Sequence, residues 1–71
     1  MTKFAKYVKT ENIRKTRKEK GITVRELQEA LGFNSPSSYY YLESGFVEPR
    51  ISQMAILSQV LDEPASNFFA L

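Results

Sequence analysis

The chain has no cysteine and no histidine among its 71 residues. The first absence leaves the fold without a disulfide, which fits a reducing cytoplasm. The second removes the usual Cys/His zinc site and any His-based catalytic triad. No apolar run approaches the length of a membrane span, and the basic N-terminus leads into no hydrophobic signal core. β-branched residues are scattered and never alternate over a run, so strands are not expected. Internal repeats and low-complexity tracts are also missing. A stretch of this length supports one small domain with a modest core. No enzymatic activity, metal, cofactor, membrane or small-molecule substrate is expected.

What is present begins with charge. The net +2 conceals an asymmetry. Residues 1–20 hold eight basic and two acidic side chains, whereas residues 21–71 hold Arg25 and Arg50 against six acids. The basic end reads either as a solvated helix face with an arm or as a polyanion-binding patch.

Helix signals are strong and predict an all-α fold, a compact bundle of about five short helices. Residues 1–10 read as a basic N-terminal arm or helix extension, and residues 11–71 as the helical domain. Helix one is expected from about Ala5 or Glu11 to Lys20, with Phe4, Val8 and Ile13 as apolar positions and Gly21 as its stop. Thr23 and Glu26 form a T-x-x-E capping box that starts helix two. Val24, Leu27, Ala30 and Leu31 make its apolar stripe, and Gly32 closes it. Ser35 is placed to cap helix three, with Pro36 at its first position. Tyr39 and Leu42 should face inward, and Gly45 should end this helix. Helix four is expected from about Ser52 to Leu61, with Ile51, Met54, Leu57 and Leu61 as one stripe and Ile56 and Val60 as a second. A short fifth helix fits Pro64 to Phe69, with Phe68 and Phe69 closing the core.

Helices two and three, joined by a glycine-bounded turn, resemble the helix-turn-helix of the lambda-repressor/Cro-type transcription regulators. The resemblance is carried by Ile13-Arg14, Arg17 to Thr23, Glu26-Leu27, Leu31-Gly32, Leu42-Glu43-Ser44-Gly45, Pro49, Leu57 and Leu61. It spans roughly Ile13 to Phe69. It implies a regulator whose helix three enters the major groove while its neighbours hold phosphates. One residue is inserted between helices two and three, at Phe33-Asn34-Ser35. Where members often carry Gln early in helix two, this chain has Val24. Where they carry Arg, Lys, Gln or Asn on the outer face of helix three, it offers Ser37, Tyr40, Tyr41 and Ser44. The following loop, often basic in the family, is Phe46-Val47-Glu48.

Two functions follow. In the first, the chain is an autonomous, sequence-specific repressor that binds double-stranded operator DNA as a homodimer. Its contacts would come from Arg14, Arg17, Lys18, Arg25, Ser37, Ser38, Tyr40 and Tyr41. In the second, towards which the sequence leans, it is an antirepressor or co-regulator in a phage-type genetic switch and binds a partner helix-turn-helix repressor. Tyr40, Tyr41, Phe46, Val47, Ile56 and Val60 would form the contact surface. Glu43, Glu48, Asp62 and Glu63 would then face the partner's basic DNA-reading surface.

Overall fold

The computed structural model describes residues 5–70; Lys3 of the basic arm and Phe4, expected as an apolar position, lie outside them. Four α-helices follow one another: α1 (Thr10–Glu19), α2 (Val24–Ala30), α3 (Pro36–Glu43) and α4 (Ile51–Leu61). A single 3₁₀ turn, Ala65–Phe68, comes last. This turn is shorter than the expected fifth helix, because Phe69 adopts extended backbone and pairs with Val8 in an isolated antiparallel bridge.

All four helices end with the same pair of backbone bonds, and the sequence supplies a left-handed residue each time. At the end of α1, Gly21 has φ +67°. Its N–H bonds the Lys18 carbonyl at 3.2 Å, and the Ile22 N–H bonds the Arg17 carbonyl at 3.0 Å. This Schellman arrangement satisfies carbonyls that the helix leaves unpaired. Gly32 and Gly45 repeat it after α2 and α3. At the end of α4 the left-handed position falls to Asp62, φ 52°, the described non-glycine residue with positive φ.

The starts differ more. At α2 the capping box forms as expected: Thr23 Oγ1 accepts the Glu26 N–H at 3.1 Å, and Glu26 Oε2 accepts the Thr23 N–H at 3.1 Å. Ser35 stands at the N-cap of α3 but makes no side-chain cap bond. Its hydroxyl instead lies 3.0 Å from that of Ser37. The start of α4 is Ile51 rather than Ser52, and Gln53 Oε1 accepts the Arg50 N–H at 2.8 Å.

The core gathers Ile13 from α1, Leu27 from α2, Tyr39 and Leu42 from α3, Met54, Leu57 and Leu61 from α4, and Val8 and Phe68 from the two ends. Three expectations need correction. Val8 is buried, but in an extended segment rather than on α1. Ala30 is exposed; at 100° per residue, Val24, Leu27 and Leu31 share one arc and Ala30 falls off its edge. Ile51 is 87% exposed. It extends the α4 stripe by spacing, but a side chain on a helix's first residue leans back beyond the helix end, where nothing packs on it.

Residues 5–9 form a strap that bends at Lys6 and Tyr7 before the bridge at Val8. Its amides are held at both ends. Ala5 donates to the Gly45 carbonyl at 2.9 Å and Lys9 to the Phe68 carbonyl at 2.7 Å. Between them, Glu48 Oε1 accepts the N–H groups of Lys6 and Tyr7 at 2.7 and 2.9 Å. The strap thereby links the loop after α3 to the C-terminal segment.

Candidate nucleic-acid interface

The position of α3 is fixed from behind by a buried ion pair. Tyr39, Leu42 and Glu43 occupy the inner arc of this helix, at i, i+3 and i+4. Glu43 therefore points inward, with only 6% of its side chain exposed, opposite Arg17 of α1 at 11%. Arg17 Nε donates to Glu43 Oε2 at 2.9 Å and Nη2 to Oε1 at 3.2 Å, a two-pronged contact. The remaining nitrogen, Nη1, donates to the Ile22 carbonyl at 3.1 Å. The Glu43 bond raises the Arg17 pKa above its ordinary value even against the opposing effect of burial. Beside them the Tyr39 hydroxyl is buried without a hydrogen bond of good geometry. Burial, and then the neighbouring Glu43 carboxylate, raise its pKa well above the ordinary tyrosine value.

This arrangement bears on two residues named from the sequence. Glu43, expected on an acidic surface facing a partner, is an interior residue that joins α3 to α1. Arg17, expected as a phosphate contact, has its guanidinium committed to Glu43 and Ile22. The sequence carried a signal for both, namely an acidic residue on the apolar arc of α3. Of the other acids, Glu48 is occupied by the strap amides, and Glu63 Oε1 lies 3.6 Å from Lys20 Nζ.

The opposite arc of α3 is the solvent face. Ser37, Tyr40, Tyr41 and Ser44 fall at i, i+3, i+4 and i+7, a single stripe. Tyr40 and Tyr41 are 53% and 56% exposed. The Tyr41 ring meets Phe46 edge-on, with centroids 5.9 Å apart and planes at 80°. Such pairs prefer this geometry because the positive ring edge meets the negative face. Tyr40 lies 6.5 Å from Tyr39, tilted by 60°.

Along the Tyr40–Ser44 part of this stripe runs an open cleft of about 560 Å³, where Tyr40, Tyr41, Ser44 and Phe46 meet Arg14, Arg17 and Lys18 of α1, with Glu43 also in its wall. Arg14 is 60% exposed, with Nε 3.7 Å from Glu43 Oε1. Arg14 and Lys18 border the same cleft as Tyr40 and Tyr41. Arg25 is not part of this group; it sits on α2, paired with Glu29 at 3.1 Å on an exposed surface. Ser38 is half-buried, on the edge of the stripe. Of the residues named for partner contact, Tyr40, Tyr41 and Phe46 share the cleft and Val47 is exposed. Ile56 is half-buried, and Val60 packs against the core.

Two short helices around a glycine-ended turn, the second held rigid from behind and bordered by cations in front, define a helix-turn-helix unit. Residues 13–68 match the helix-turn-helix family of lambda-repressor/Cro-type proteins, and the chain belongs to that family of DNA-binding transcription regulators. No curated protein and no solved structure matches the chain. Among the described residues no helix is long and apolar enough to cross a membrane.

Proposed function

We propose that the chain binds double-stranded operator DNA without a helper protein, as a homodimer whose α3 helices enter successive major grooves. One observation carries this reading. The exposed α3 rings Tyr40 and Tyr41 and the exposed cations Arg14 and Lys18 border one cleft. Phosphate neutralisation supplies most of the affinity of such proteins, and a helix in the groove supplies the sequence contacts. Two half-sites one helical turn apart then double a small interface.

Of the acids that favoured a basic protein partner, one is withdrawn into the interior, while Glu48 and Asp62 remain exposed and Glu63 half-buried. Glu43 is buried, Glu48 accepts from the strap, and Glu63 faces Lys20. The surface acids and the exposed apolar group Tyr40, Tyr41, Phe46 and Val47 support the second reading, an antirepressor that binds a partner helix-turn-helix repressor.

The two readings separate in one titration. A labelled promoter duplex from the chain's own locus is followed by fluorescence anisotropy at two salt concentrations, with the chain alone and then with the neighbouring repressor. Saturable, sequence-selective binding by the chain alone supports the first. No binding alone, together with release of the repressor from its DNA, would replace it with the second.

A further inference from the structure

We infer that α3 reads thymine methyl groups, with Tyr41, braced by Phe46, as the residue that selects an A·T pair in each half-site. This rests on the duplex-DNA reading above and adds what that duplex must contain.

The major groove distinguishes base pairs by donors and acceptors and by the thymine C5 methyl. The side chains that read the first kind of signal in pairs of bonds are Arg, Lys, Asn and Gln. None of them occurs in α3, Pro-Ser-Ser-Tyr-Tyr-Tyr-Leu-Glu. The hydroxyls at both ends of the outer stripe, Ser37 at 3.0 Å from Ser35 and Ser44 donating to the Tyr41 carbonyl at 3.1 Å, can meet any base and so choose weakly. The two rings remain.

Tyr41 is the better placed of the two. Its edge contact with Phe46 holds the ring, and more than half of it still faces solvent. A side chain already restrained loses less freedom on binding, and an aromatic ring brings large contact area with few torsions. Its apolar surface complements a methyl group, which no guanine or cytosine presents. Arg14 and Lys18 in the same cleft attract the backbone without choosing a sequence. The division of labour is therefore cations for attraction and a ring for choice.

The test uses the whole chain. Duplexes are selected from a random pool with the wild-type protein, and each thymine of the selected site is then replaced by deoxyuridine, which removes only the methyl. Burying one methyl corresponds to about a fourfold change in affinity. At one thymine per half-site, wild type and Tyr41→Phe should both bind the deoxyuridine duplex about fourfold more weakly. Tyr41→Ala should bind both duplexes equally, with a melting temperature close to wild type. The inference is overturned if no thymine responds in the wild type, or if the response survives in Tyr41→Ala. A uniform loss across all duplexes in Tyr41→Phe also overturns it, by assigning the hydroxyl to a phosphate. Enrichment of no duplex at all would overturn the DNA reading itself along with it, an outcome distinct from a selected site indifferent to its methyls.

Discussion

Breaking the Arg17–Glu43 pair from one side should be among the most damaging changes to this chain. In Glu43→Leu the Arg17 guanidinium keeps its bond to the Ile22 carbonyl and loses both contacts to the carboxylate. The charge remains, on a side chain only 11% exposed, and its carboxylate partner is gone. Removing one partner of a buried pair costs about 3–5 kcal/mol, because the other is left desolvated and uncompensated. A domain of this size holds only about 4–11 kcal/mol in total. At about 4–8 °C per kcal/mol, the melting midpoint should fall by more than about 10 °C. Arg17→Met should fall by a similar amount. The double variant Arg17→Met/Glu43→Leu leaves no charge behind, so it should be more stable than either single variant. The assay is thermal and urea denaturation of the four proteins by circular dichroism, read as a double-mutant cycle. Single losses that simply add, with a coupling under about 0.5 kcal/mol, would refute the assignment of this pair as the tie between α1 and α3.

Three further outcomes are expected. Thr23→Ala removes the acceptor of the Glu26 N–H and should cost about 1 kcal/mol; an unchanged urea midpoint would contradict that. The raised Tyr39 pKa makes stability sensitive to alkali. The unfolded chain releases that proton near the ordinary value of 10.0, while the folded chain keeps it. Stability is thus intact below about pH 10 and declines by about 1.4 kcal/mol per unit above it. Tyr39→Phe should remove that part of the decline in urea series between about pH 9 and 11, and an identical decline in the variant would contradict the cause given. Finally, Lys18→Ala should weaken duplex binding equally across sequences and lower the salt slope by about 0.9; a change confined to one sequence would take Lys18 off the phosphates.

Much of the fold was legible because its signals are local. The capping box at Thr23 and Glu26, the stops at Gly21, Gly32 and Gly45, and the inward pair Tyr39 and Leu42 depend on neighbours a few residues away. The errors arise where distant chain segments decide. Phe69 leaves the expected last helix to pair with Val8, and no pattern within either segment announces the other. Ile51 obeys its stripe and still lies in solvent. For the candidate site, the stripe Ser37, Tyr40, Tyr41 and Ser44 was readable from helical period alone. Its proximity to Arg14 and Lys18 depends on how α1 crosses α3. The function of Glu43 was half visible, as a carboxylate on an apolar arc, but its partner could be named only once Arg17 was brought against it.

Amide chemical shifts of the isotope-labelled chain, followed by NMR as unlabelled duplex selected by the chain is added, would locate the contact. The DNA reading predicts the largest shifts at Ser37 to Ser44 and at Arg14 and Lys18, with the α4 core residues Leu57 and Leu61 nearly unmoved. Shifts confined to α4 and the strap, with Tyr40 and Tyr41 unchanged, would contradict it.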